Sequence, residues 1–178
     1  MAISKPTILL VPGAWHQPGL YQPLVKELER LSYTCLTVAT ATVGKDSHGK
    51  TWADDVVAIM AVAQPLFDEG KEVIIIGHSY GGLPTVAATK DQTTVDRASR
   101  GEIGGFKQLI LLAAYVIPER GSDLRSLGEK YPDWTEWQPE YTKVKLYPYL
   151  QWLPVSDQNS LIEQVNSPQR RSKGHSLQ

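Results

Sequence analysis

Residues 72–81 read Glu72-Val73-Ile74-Ile75-Ile76-Gly77-His78-Ser79-Tyr80-Gly81. The first five, EVIII, are a short apolar run of the kind that suits a strand buried on both faces of a parallel sheet. They lead straight into G-x-S-x-G. The small, apolar stretch from Gly81 to Thr89 predicts a helix behind the motif, with Pro84 tolerated near its first turn. Strand, sharp turn and helix together lift a serine hydroxyl to the end of a sheet. Gly77 and Gly81 leave room where strand and helix backbones crowd, and the helix N-terminus points unpaired N–H groups and a positive dipole end at Ser79. A glycine-rich turn that merely contains serine is the plain alternative, because five such letters recur by chance. The strand before and the helix after decide for a nucleophile at Ser79.

Upstream, Thr7–Val11 (TILLV) is a second continuous apolar run, closed by Pro12-Gly13. Leu20, Leu24, Leu28 and Leu31 at helical spacing predict an amphipathic helix over Leu20–Leu31, and Tyr33–Ala39 is β-branched and aromatic enough for a strand. Residues 40–51 are polar and read as a loop. Thr51 then stands before Asp54 and Asp55, a helix start with acids in its first turn. Val56, Ile59, Met60, Ala63, Leu66 and Phe67 mark one apolar face, Gly70 ends the helix, and Pro65 is expected to kink or shorten it. Downstream, 90–105 reads as a long loop or frayed helix end, and Gln108–Val116 (QLILLAAYV) as a fourth buried strand. The alternation of strands and helices is that of a parallel sheet with helices on both faces.

After Pro118 the composition changes to scattered tryptophans, tyrosines, prolines and charges. The expected organisation is a sheet-forming core over 1–117, a partial lid of short helices and loops over 118–165, and a polar, disordered tail over 166–178.

The 178 residues carry a formal charge of -1, which gives no support to nucleic-acid binding, since that needs a clustered basic face. One cysteine, Cys35, cannot build a disulfide framework or a cysteine-based zinc site, and it reads as a small core side chain. No apolar run approaches the roughly 20 residues needed to span a bilayer, and residues 1–6 lack the pattern of a signal peptide. The expected location is the cytoplasm, with no membrane partner.

The first strand ends in Val11-Pro12-Gly13-Ala14-Trp15-His16. With a nucleophile turn after a later strand, such a loop supplies one backbone N–H to an oxyanion hole, and the residue after the serine supplies the other. The donors so assigned are Ala14 and Tyr80, with Trp15 and His16 beside them on the substrate side. Read alone, Pro12-Gly13 would be an ordinary turn.

The blocks LLVPGAWHQPGLYQPL, ATVG, TWADDVVAI, EVIIIGHSYGG and GFKQLILLAAYVIPERGSDL together resemble the α/β-hydrolase superfamily over about residues 5–125. The subgroup they look like contains small esterase-like and hydroxynitrile-lyase-like enzymes with an HGAW-type loop, including hydrolases of fungal metabolite pathways. The resemblance implies a serine nucleophile at Ser79 and no cofactor or metal. Pro12 replaces the histidine that often opens that loop, which bears on the positioning of the loop rather than on the Ala14 N–H.

A serine needs a base, and the base needs an acid to fix its tautomer; in this fold they follow the serine in the order acid, then histidine. Members of the subgroup are longer, so the chain is expected to stop short of the last strands of the sheet. His175, in Gly174-His175-Ser176, resembles the string that carries the subgroup's catalytic histidine, and it is the candidate base although no strand precedes it. Glu119 and Asp123 are the acids that follow the fourth strand; helix start and surface charge are their ordinary roles. His78 is expected to point away from the serine, His48 to lie exposed, and His16 to touch substrate or backbone. The reading is a serine hydrolase acting on an ester or related acyl bond of a small apolar molecule. The alternatives are a weakly active or inactive relative that binds a small ligand, and lyase chemistry on the same scaffold. An uncovered sheet edge would also open the chain to self-association.

Overall fold

The computed structural model describes residues 5–115 and the backbone of two short strands, Thr135–Trp137 and Thr142–Val144. Within 5–115 the order is β1 (Thr7–Val11), a 3-10 turn (Pro18–Tyr21), α1 (Gln22–Arg30), β2 (Cys35–Thr37), α2 (Trp52–Asp68), β3 (Glu72–His78), a 3-10 turn (Ser79–Gly81), α3 (Gly82–Thr89), α4 (Thr94–Ser99) and β4 (Gly105–Leu112). The four strands form one parallel sheet in the order β2-β1-β3-β4. Chain order therefore reverses between β1 and β3, where Leu10 pairs with Ile76 and Val11 with Gly77.

Both faces of the sheet are used, which is why β1 and β3 lack polar alternation. Leu9, Val11, Val73 and Ile75 pack with Ile59, Ala63, Leu66 and Phe67 of α2 and with Ala88 of α3. On the other face Ile8 and Cys35 pack with Val25 of α1, and Leu28, Ile74 and Ile76 lie against them. Cys35 is a buried free thiol, as read from the sequence. The periodic face of α1 is set differently from the leucine spacing: Val25 is buried, whereas Leu24 and Leu31 are exposed.

Helix α2 begins where Thr51 predicts. Thr51 accepts from the Ala53 N–H, and Asp54 Oδ2 accepts from the Thr51 N–H at 2.9 Å, so two otherwise unpaired donors are satisfied at the helix start. Pro65 does not shorten the helix, which runs on to Asp68. Strand β2 is three residues long, shorter than the Tyr33–Ala39 run. The stretch 90–105 contains a short helix, α4, because Thr93 and Asp96 cap its start reciprocally. Arg97 of α4 is 5% exposed; its guanidinium lies over the Phe67 ring, 4.8 Å from the centroid, and its Nε donates to the Ile103 carbonyl at 3.1 Å.

Strand β4 departs most from expectation. It starts three residues earlier than Gln108 and ends at Leu112, and only Gly105 and Phe106 are buried. Leu109, Ile110, Leu111 and Leu112 are 37–46% exposed. Its apolar run reads as an interior strand, but among the described residues β4 borders only β3, and interior burial needs a neighbour on each side.

The second compact unit spans Glu129–Gln178. There Thr135–Trp137 (β5) pairs antiparallel with Thr142–Val144 (β6), so the described residues in the span read as short helices and loops are strands.

Candidate active site

In open parallel sheets, ligands are taken up outside the carboxyl ends of the strands, at the point where strand order reverses. Here that point lies between the ends of β1 and β3, and the two segments singled out in the sequence leave from it. After β3 the chain turns at Ser79, whose φ of 51° is left-handed. A non-glycine residue held there costs about 1–3 kcal/mol, and such strain collects at functional turns. The turn closes only because its glycines lack side chains. A Cβ on Gly81 would collide with the Pro12 carbonyl oxygen and come within 2.6 Å of that of Val11, and one on Gly77 would meet Thr85 Oγ1 at 2.8 Å. The Ser79 carbonyl accepts from the Tyr115 N–H at 3.0 Å, which ties the turn to the segment beyond β4.

After β1, Gly13–His16 form a tight turn: the His16 N–H donates to the Gly13 carbonyl at 3.2 Å, and Trp15 takes a φ of 62°. This turn touches the sharp turn at Ser79, the elbow between β3 and α3. A Cβ built on Gly13 would lie 3.2 Å from Ser79 Cβ, 3.0 Å from His78 Nδ1 and 3.3 Å from His16 Nδ1. Ala14, Trp15, His16, Ser79 and Tyr80 are thus brought to one end of the sheet, each partly exposed. His175, Glu119 and Asp123 lie outside the described residues. His48 is exposed.

Two features escaped the sequence reading. The first is Tyr21. Its hydroxyl accepts from the Gly13 N–H at 3.0 Å and lies 2.9 Å from His16 Nδ1 and 2.8 Å from His78 Nδ1. The two imidazoles are stacked, 5.7 Å between centroids at 11°. His78 turns its Nδ1 to Tyr21 and so helps to hold the loop after β1. Burial, reinforced by the nearby His78, lowers the His16 pKa. Burial also raises that of Tyr21, against the opposing Gly13 hydrogen bond.

The second is Asp55, which has no exposed surface. It accepts from Tyr80 Oη at 2.7 Å, the Thr42 N–H at 2.9 Å and Thr42 Oγ1 at 2.8 Å. Asp54 is the helix-start acid the sequence predicts, but Asp55 anchors the side chain of the residue after Ser79. The signal was present: 55, 59, 63 and 66 fall on one helical stripe. Burial, and then the bond to Asp55, push the Tyr80 hydroxyl well above its ordinary pKa, so it stays a donor.

Among the described residues, no cluster of three or more His, Cys, Asp or Glu could hold a metal ion. No helix there is long and apolar enough to cross a membrane. An open polar groove lined by Asp68, Asp91, Arg97, Arg100 and Glu102 lies toward the start of β4, away from the carboxyl ends where the site is built.

A model of the α/β hydrolase family matches residues 8–170. The chain is 33% identical over 132 residues to the α/β hydrolase nvfD of Aspergillus novofumigatus, covering 74% of this chain and 52% of that protein. It is 28% identical over 129 residues to a carbendazim hydrolyzing esterase from a Nocardioides species, covering 68% and 47%. The chain thus spans about half the length of these curated relatives. Among solved structures it resembles an extracellular α/β-hydrolase from a Paenibacillus species, described as sharing structural and functional homology with tobacco salicylic acid binding protein 2. That likeness has a TM-score of 0.52 at 22% identity, covers 64% of this chain and 42% of that one, and speaks for the fold alone. Sheet order, elbow and the match over residues 8–170 agree, and the chain belongs to the α/β hydrolase family.

Proposed function

We propose that this chain carries the nucleophile half of a serine hydrolase that cleaves an ester or related acyl bond in a small apolar molecule, one of secondary metabolism. The observation that carries the reading is Ser79 at φ 51°, on the turn from β3 toward α3, beside the Gly13–His16 loop. Ser79 Oγ would form a bond to the substrate carbonyl carbon while its proton passes to a base. The Ala14 and Tyr80 N–H groups would hold the negative oxygen, with Trp15 and His16 flanking the substrate. Collapse of the intermediate expels the protonated alcohol, and water then releases the acid from Ser79. The base taken from the resemblance is His175. No metal or cofactor enters this scheme. Relatives named as a hydrolase and as an esterase support the reaction class. A cytoplasmic site of action belongs to the same reading and accords with the buried free thiol of Cys35.

A second reading, ligand binding with little turnover, is favoured by one observation. Among the described residues, the two imidazoles beside the Ser79 turn, His16 and His78, both engage Tyr21 through Nδ1. The deciding experiment treats the folded chain with a fluorophosphonate and records intact mass, with Ser79→Ala beside it. A single adduct on the natural chain, absent from the variant, is expected. A folded natural chain that stays unmodified would overturn hydrolysis and leave binding as the function.

A further inference from the structure

Tyr21 sits where one hydroxyl meets three partners. A phenol offers one proton and two lone pairs. The Gly13 N–H occupies one lone pair. The two remaining neighbours are ring nitrogens, His16 Nδ1 at 2.9 Å and His78 Nδ1 at 2.8 Å. Both bonds can exist only if one Nδ1 carries a hydrogen and donates to the oxygen, while the other is bare and accepts the phenolic proton.

We propose that Tyr21 is a positioning residue of the oxyanion loop: its saturated hydroxyl pins Gly13 beside the elbow and sorts His16 and His78 into opposite tautomers, so that the pair accepts one proton but not two. The first proton goes to the bare Nε2 of the ring whose Nδ1–H already donates, and every bond survives. The second must go to the Nδ1 that accepts from Tyr21. Three donors would then crowd two lone pairs, the phenolic proton would lose its acceptor, and the Gly13 bond would give way. Among the described residues, the recorded partners of the two rings are Tyr21 and each other, and no carboxylate or cation is hydrogen-bonded to either ring to offset a second charge. The lowered affinity of His16 for a proton, caused by burial and by His78, is in keeping with this. The sequence carries no hint of the arrangement, since Tyr21 and His78 stand 57 positions apart and meet only because β1 and β3 are neighbours.

The inference rests on the hydrolase reading for its catalytic meaning only, and its test needs no turnover. Imidazole nitrogen NMR on the full chain, at a pH above both titrations, should show one ring protonated at Nδ1 and the other at Nε2. Tyr21→Phe should abolish that opposition and raise the affinity for the second proton roughly tenfold, the scale of one hydrogen bond to a charged group. It should also speed exchange of the Gly13 amide roughly tenfold, with the Leu9 amide in β1 unchanged. Identical tautomers in the natural chain, or an opposition that survives Tyr21→Phe, would overturn the proposal. Should Tyr21→Phe not fold, the tautomers of the natural chain decide alone. Failure of Ser79 to react with the fluorophosphonate would leave these measurements standing, so the two readings fail separately.

Discussion

Tyr80 Oη donates a 2.7 Å hydrogen bond to Oδ2 of Asp55, a carboxylate with no exposed surface. The bond joins the residue after Ser79 to the first turn of α2, and through Asp55 to Thr42 in the loop after β2. Three elements that share no backbone pairing are fastened at one acid, so the placement of the Tyr80 backbone depends on a helix well outside the site.

Asp55→Ala should therefore lower stability by about 3 kcal/mol, since it leaves three donors in an enclosed place without their acceptor. Asp55→Asn keeps one oxygen and the volume, and should cost about half as much. Tyr80→Phe removes one bond and should cost about 1–2 kcal/mol. Urea unfolding of the three variants tests the ranking; an Asp55→Ala chain as stable as the natural one would show that the acid holds nothing.

Gly81→Ala should fail more severely. The added methyl would meet the carbonyl oxygens of Pro12 and Val11, and these are backbone atoms at the end of a central strand that cannot rotate aside. A cost of about 3 kcal/mol or more follows from overpacking at a site that cannot relax. Circular dichroism and the urea midpoint would record it, and an unchanged midpoint would mean that β1 and the elbow stand farther apart than described.

Much of this framework is legible in the residues, and the failures have physical causes. TILLV and EVIII announce buried strands, and Thr51 with Asp54 announces the start of α2, because those signals are local. The Thr93–Asp96 cap was equally local, but the surrounding polar composition masked it. Asp55 is harder to read: an acid in a first turn already has an electrostatic reason to be there, and only its place on the stripe with Ile59 and Ala63 reveals a second one. Tyr21 is illegible, because its partners are chosen by strand order and not by spacing. Strand β4 misleads in the opposite sense, since an apolar run states what a strand needs, while burial depends on neighbours lying elsewhere in the chain.

Stability should fall as the pH drops below about 6.5. Burial lowers the folded-state pKa of His16 beneath its ordinary 6.5, so between those two values the unfolded chain binds more protons than the folded one, and stability rises with pH. The contribution is whole above 6.5 and is lost progressively toward the folded pKa. Asp54, whose bonds to Thr51 and Lys50 lower its pKa below 3.8, adds its loss only in stronger acid, so the histidine window stands apart. His16→Gln should flatten the pH dependence of the urea midpoint between pH 7.5 and 5; a slope as steep as that of the natural chain would assign the effect elsewhere.

Strand β4 makes a prediction about association. It is eight residues long and free of proline, and its exposed end is Leu109-Ile110-Leu111-Leu112. The charge it carries, Lys107, stands near its start and is paired with Glu72 at 2.6 Å. Natural edges avoid strand-to-strand joining with mid-strand charges, prolines or bulges, and the only irregularity recorded between β3 and β4 falls at Val73/Ile74, opposite the first residues of β4. Among the described residues no strand lies along β4 opposite β3; two copies meeting there would pair backbone groups of residues 109–112 and cover their apolar side chains at once. Sedimentation velocity should accordingly show dimers or larger species growing with protein concentration. Ile110→Lys puts a charge in the middle of the edge at a side chain already 37% exposed. It should shift the distribution to monomer while moving the urea midpoint by no more than about 1 kcal/mol equivalent. A natural chain that stays monomeric across the range, or a variant that associates as readily, would show that this edge is covered by something other than a second copy.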